Sequence, residues 1–350
     1  MTPTMSNIAT LDDVRYQEHI LQGVSRTFAL TIPQLPPALR EVVGNAYLLC
    51  RIVDTVEDDS ALTLEQTREL AEMFIEVVSG TVGAETFARA LYPLLSEHTI
   101  PAEHDLIKHT PSVIRMTHSF KPAQRQALER CIRIMGQGMA AYQESESLSG
   151  LENLAEMDRY CYHVAGVVGE MLTELFCDYS PEIDQHKPTL MQLSVSFGQG
   201  LQMTNILKDI WEDRKRGACW LPRDIFLQEG FDLNDLQPGC SERGFHAGLG
   251  TLIGIAKTHL QNALAYTCLI PSHETGVRRF CLWAIGMAVL TLNKINHKRD
   301  FITGGEVKIS RRSVRATVLI TSLLASQDWA LKKIFAISSR NLPEVQIARS

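Results

Sequence analysis

Large apolar side chains recur at three- and four-residue spacing through residues 11–30, 38–59, 64–79, 122–145, 151–178, 188–214, 247–268, 275–299 and 308–337. That is the period of helices burying one face. Alternating strand patterns are rare. Pro and Gly fall mostly between these segments, as in IPQLPPA (32–38), HTPS (109–112), LPRD (221–224) and QPGC (237–240), where they punctuate helices. No low-complexity linker or charge block divides the chain. The pattern therefore predicts an all-α protein with a single domain over 350 residues, its core at about 15–337.

Composition adds limits rather than a function. With 45% hydrophobic and 21% charged residues the chain can bury a large core, and a net charge of -6 gives no bulk attraction to nucleic acid. The eight cysteines are scattered singly without zinc-site spacing, and read as reduced thiols of a cytosolic core. The start, MTPTMSNIATLDD, lacks the basic and apolar regions of a signal peptide. The run WAIGMAVLTL (283–292) is about half the length needed to cross a bilayer. The expectation is a cytoplasmic protein with no spanning segment, leaving peripheral membrane contact open.

Chemistry concentrates in two acidic stretches. In RIVDTVEDD (51–59), Asp54, Glu57 and Asp58 share a helix face, where they repel one another. Thr63 and Gln66 form a capping box for the next helix, so this one ends near Ser60 and its macrodipole also opposes the acids. A positive group is expected beside them. Asp59 points off the stripe and is assigned only helix-end solvation. NILKDIWED (205–213) repeats the D-x-x-E-D spacing and extends upstream as a stripe of Gln202, Asn205, Asp209 and Asp213. Gly198, Gly200, Met203 and Ile206 mark that helix as closely packed. A single acidic cluster is most often a solvated face. Two copies on facing helices would make an oxygen-only cage suited to Mg²⁺. The EF-hand spacing is absent, and a glycosidase needs only two carboxylates.

Bases accompany the acids. Arg51 precedes Asp54 by one turn of the same face and Tyr47 by two, Lys208 abuts Asp209, and Ser25-Arg26 follows a glycine in GVSRTF. Arg forks and Lys can grip diphosphate oxygens while carboxylates hold the metal. In VKISRRSVR, Lys308, Arg311 or Arg312, and Arg315 share a face that would suit a cofactor phosphate, an anionic membrane or plain solvation. GQGMAA (136–141) matches a dinucleotide fingerprint but follows no strand, so close helix packing is expected instead.

SRTFALTI (25–32), YLLCRIVDTVEDD (47–59), YCYHVAGVVGEMLTELF (160–176), QMTNILKDIWED (202–213) and WLPRD (220–224) together resemble the head-to-head trans-prenyl synthases, which comprise squalene, dehydrosqualene and phytoene synthases. DTVEDD and YCYHVAGVVG look most like the squalene-forming branch. The resemblance implies an isoprenoid-synthase helical fold with a central cavity. It implies Mg²⁺ and diphosphate at Asp54, Glu57, Asp58, Asn205, Asp209 and Asp213, and diphosphate or cofactor-phosphate contacts from Ser25, Arg26, Tyr47, Arg51 and Lys208. Tyr160 falls on a catalytic tyrosine and Phe280 on a pocket aromatic. Lys308 matches an NADPH-binding lysine, whereas Ser310 stands where an arginine is usual, leaving Arg311 or Arg312 in its place. The implied reaction condenses two farnesyl diphosphates to presqualene diphosphate, which NADPH reduces to squalene. Dehydrosqualene synthase, phytoene synthase and a non-catalytic scaffold are the alternatives. The anchoring helix of eukaryotic relatives is missing, which implies transient membrane contact.

Overall fold

The computed structural model describes residues 9–25, 27–143 and 147–345. Among the described residues every extended element is helical, and the one β-type feature is an isolated parallel bridge, Leu151 to Pro222. The chain clusters into two units, Met1–Glu144 with Met171–Gln185, and Ser145–Glu170 with His186–Ser350.

In the first unit the element that matters is the 22-residue helix Pro37–Asp58. Pro at the helix start needs no amide partner and presets φ, and Val42, Leu49, Ile52, Val53 and Val56 are buried along its inner stripe. Asn45, also buried, donates to Val113 O at 2.9 Å and accepts from Thr117 Oγ1 at 2.7 Å, locking the helix to Thr110–Ser119. The helix ends at Asp58, and Thr63 with Gln66 forms the expected capping box on Leu64–Ser79. GQGMAA lies inside Pro122–Gln143, with Gly136 against Ile75, as close packing requires.

Two expectations fail here. Periodicity assigns no helix to residues 80–121, yet Ala84–Leu91, Pro101–Lys108 and Thr110–Ser119 are helical; each is too short to fill the window in which a 3.6-residue period shows. Asp59 is not solvated. It is buried, accepting from Ser96 N at 2.8 Å, Thr99 Oγ1 at 2.6 Å and Ala61 N at 2.9 Å. Burial alone would raise its pKa, but these donors outweigh it and hold the carboxyl below the ordinary value.

The second unit is organised on the 29-residue helix Lys187–Lys215, which packs against Arg243–Leu269 and Thr275–His297. A Cβ on Gly198 would lie 2.2 Å from Ala165 O, and one on Gly169 would lie 2.2 Å from Ser194 O, so backbones touch directly at both places. The expected 151–178 helix is interrupted there by a π turn, Tyr162–Gly166, between Leu154–Cys161 and Val167–Tyr179.

Thr275–His297 is longer than the run WAIGMAVLTL suggests. At 23 residues it meets the length and hydropathy of a spanning helix, but most of its apolar window is buried in the protein. It also carries buried Arg278, which donates to Ile270 O at 2.8 Å, Ala325 O at 2.9 Å and Asp328 at 2.7 Å. Those bonds fix the break that divides the predicted 308–337 helix into Arg311–Leu324 and Asp328–Ser338. All eight cysteines are free thiols.

Candidate active site

Tyr47, Arg51, Asp54, Glu57 and Asp58 form the accessible face of Pro37–Asp58, while the residues between them are buried. The expected positive group is Arg51, whose Nη1 lies 3.7 Å from Asp54 Oδ2. Its Nε donates to Glu103 Oε1 at 2.9 Å and Nη2 donates to the same oxygen. Burial would lower the Arg51 pKa, but Asp54 and Glu103 outweigh it and raise it. Burial pushes Asp54 up to about 7 against the pull of Arg51, with Asp58 and Glu103 adding repulsion. Asp54 thus ionises around neutral pH rather than in the ordinary carboxylate range.

Tyr47 donates to Val24 O at 2.9 Å and rests its ring 5.0 Å from that of Phe28. Burial raises its pKa. Ser25 lies next to that carbonyl, with its Oγ accepting from Phe28 N at 2.9 Å. Arg26 lies outside the described residues.

The second acidic helix differs in how its acids are held. Gly198, Gly200, Met203 and Ile206 are buried as expected of a closely packed element, while Gln202 and Asp209 are accessible and Asn205 is exposed. Lys208 Nζ lies 3.0 Å from Asp209 Oδ2. Burial nonetheless raises the Asp209 pKa. Asp213 is buried and accepts from Arg216 Nη2 at 2.6 Å. Glu212 accepts from Gly304 N at 3.0 Å. A Cβ on Gly304 would lie 3.1 Å from Asp209 Oδ1, so glycine lets the 301–305 loop rest on the acids.

Tyr160, buried in the same unit, stacks on Trp220 with ring centroids 4.1 Å apart and planes 5° apart. Trp220 shares a crevice with Ile206, Ile210, Asp213 and Cys219, which brings the Tyr160 stack beside the acidic helix. Gln199 Nε2 donates to Asp158 O at 3.2 Å and ties the Tyr160 segment to that helix again. Phe280 is buried in Thr275–His297. Lys308 and Arg311 are exposed at the start of Arg311–Leu324. Ser310 is committed as that helix's cap, accepting from Ser313 N at 3.1 Å.

Among the described residues no three His, Cys, Asp or Glu side chains converge into a preformed metal cage. The donors are still of the right kind. Carboxylates one helical turn apart each offer an oxygen or two, and Mg²⁺ takes its remaining ligands from phosphate and water. The spacing of motifs reveals neither Glu103 nor Gly304, because each reaches its acidic helix from a short helix or loop distant in sequence. Trp220 was visible only as part of WLPRD.

A family model for squalene/phytoene synthase matches residues 21–313. The squalene synthase of Eremothecium gossypii is 32% identical over 280 residues, covering 78% of this chain and 60% of that protein. That of Saccharomyces cerevisiae is 30% identical over 295 residues, covering 83% and 63%. The chain spans about three fifths of the length of these relatives. A ligand complex of TcSQS superposes with a TM-score of 0.77 at 24% identity, over 96% of this chain and 94% of that one. A dehydrosqualene synthase complex gives 0.67 at 20%, over 90% and 97%. These structures share its all-α isoprenoid-synthase fold, and with the sequence match across both acidic motifs the chain belongs to the squalene/phytoene synthase family.

Proposed function

We propose that the chain is a farnesyl-diphosphate farnesyltransferase of the squalene synthase type, which joins two farnesyl diphosphates through presqualene diphosphate and reduces that intermediate with NADPH to squalene. The observation that carries this reading is the recurrence, once in each unit, of an acidic helix face with a cation already against the first carboxylate of its D-x-x-E-D motif: Arg51 at Asp54 and Lys208 at Asp209. Relatives about 30% identical that bear the name squalene synthase support it.

In this reading Asp54, Glu57 and Asp58 on one helix, and Asn205, Asp209 and Asp213 on the other, hold Mg²⁺. The metal supplies the positive charge that a departing diphosphate requires. Ser25, Arg26, Tyr47, Arg51 and Lys208 bind and orient the diphosphate, so that charge developing on its oxygens meets donors already in place. Tyr160, its ring fixed by the stack on Trp220, moves a proton at the reacting carbons. Phe280 helps the apolar wall exclude water from cationic carbon. Lys308 and Arg311, with Arg26, Arg51 and Lys208, bind the phosphates of NADPH, which supplies hydride. Residues 15–337 act as one catalytic domain.

The test is incubation of purified protein with farnesyl diphosphate and Mg²⁺, with and without NADPH, and identification of the hydrocarbon. Squalene formed only with NADPH is the expected result. Dehydrosqualene under both conditions would replace it with the non-reducing activity, and turnover of geranylgeranyl diphosphate alone would point to phytoene synthesis. No product from either substrate, with unchanged behaviour of Asp213→Asn, would point to a scaffold.

A further inference from the structure

Helix Arg311–Leu324 leaves Leu319, Ile320 and Leu323 exposed. None of its residues is buried, and Thr317 faces Gly286 of the neighbouring core helix, close enough for a Cβ there to lie 2.4 Å from Thr317 Cγ2. Val314, Val318, Thr321 and Leu324 fall on that inner side by helical spacing. Arg312, Arg315, Leu319 and Leu323 follow one another on the opposite stripe. Leu319 is 61% exposed and Leu323 69%. Two leucines more than half exposed beside two arginines on one helix face are unusual for a surface in contact with water alone.

The next helix, Asp328–Ser338, repeats the arrangement. Its Ala330, Leu331 and Phe335 are buried, whereas Trp329 is 69% exposed and Ile337 56%, with exposed Lys332 and Lys333 between them. Charge is equally one-sided. Residues 307–342 contain seven Lys or Arg and a single acid, Asp328, in a chain whose net charge is -6. Asp328 is itself taken by the buried guanidinium of Arg278. Apart from Asp328, neither helix carries a carboxylate.

We propose that the outer faces of Arg311–Leu324 and Asp328–Ser338 dock on the surface of an anionic phospholipid bilayer. Leu319, Leu323, Trp329 and Ile337 enter the interface between headgroups and acyl chains, while Arg312, Arg315, Lys332 and Lys333 meet lipid phosphates. Exposed Leu and Trp interleaved with bases, with a single acid that is held by Arg278, is the composition that binds such a surface through apolar burial and charge together. A second copy of the chain would bring like charges against one another on the same face, which disfavours self-association there.

Vesicle binding tests this without substrate and so independently of the activity proposed above. The full chain is mixed with vesicles of phosphatidylcholine alone or with phosphatidylglycerol in equal parts, and sedimented. Binding to the mixed vesicles, weakened by salt and absent from the neutral ones, is expected. Lys332→Glu with Lys333→Glu should weaken it by at least about tenfold, and Leu319→Ser with Leu323→Ser should do likewise. Of the four tryptophans only Trp329 is exposed, so the unaltered protein should show a blue shift on binding and quenching by brominated lipid. This readout needs no variant to fold. Equal binding to neutral vesicles, no quenching of Trp329, or a stable dimer that Leu319→Ser with Leu323→Ser dissociates would each overturn the proposal.

Discussion

Asp54 shows how a residue proposed to hold metal can oppose folding. Its carboxyl is raised from the usual carboxylate range to about 7, chiefly by burial. Across that window the folded protein keeps a proton that the unfolded chain releases, so the contribution of this group to stability falls as pH rises through it. Asp54→Asn should therefore stabilise the free protein at pH 8 by on the order of 1–2 kcal/mol while lowering turnover by about a hundredfold or more. Melting and product formation, measured on the same sample, check both; a variant that loses stability and keeps turnover would refute the assignment. Glu103 acts one step further out. If the proposed reaction holds, Glu103→Gln leaves Arg51 without the charge that orients it, and KM for farnesyl diphosphate should rise about five- to tenfold with a smaller change in kcat. Steady-state kinetics would reject this if KM stayed unchanged. The acidic faces were legible because i, i+3 and i+4 spacing determines what shares a helix face. Glu103 was not, because its contact with Arg51 spans 52 residues and arises on an eight-residue helix without a motif.

At the scale of elements, glycine lets two backbones touch where the Tyr160 segment meets the second acidic helix. Gly198→Ala would push a methyl to within 2.2 Å of Ala165 O, a backbone atom that cannot rotate away. Such overpacking costs about 1–3 kcal/mol. The displaced π turn should also lower kcat, so thermal unfolding and turnover are expected to fall together, and an unperturbed melting temperature would contradict the contact. Helices longer than about three turns were readable because their apolar period repeats often enough to register. The break between Leu324 and Asp328 was not, since no Pro or Gly marks it and its cause is Arg278, a buried side chain on another helix.

For the whole molecule, the units are interleaved along the chain: Val167–Tyr179 begins in one and ends in the other. An uninterrupted helix at the crossing explains why no linker shows in the sequence. Stability as a function of pH should carry the mark of buried His259, whose Nδ1 is 2.8 Å from Ser196 Oγ, itself bonded by Asn262. Burial lowers its pKa from 6.5 to about 4. The unfolded chain binds the proton first, so this contribution is complete above 6.5 and is lost as pH falls towards 4, by up to about 3 kcal/mol. Asp54 works in the opposite sense over an overlapping range. The effect is therefore read as the difference in denaturation slope between the protein and His259→Gln, and identical slopes would disprove it. The π turn between Tyr160 and Gly169 sets a different kind of limit. Each residue advances a helix by about 100°, so deleting one from YHVAG would swing Tyr160 away from Trp220 while Gly169 stayed pinned against Ser194. This stretch of chain should accept changes of side chain far more readily than any change of length.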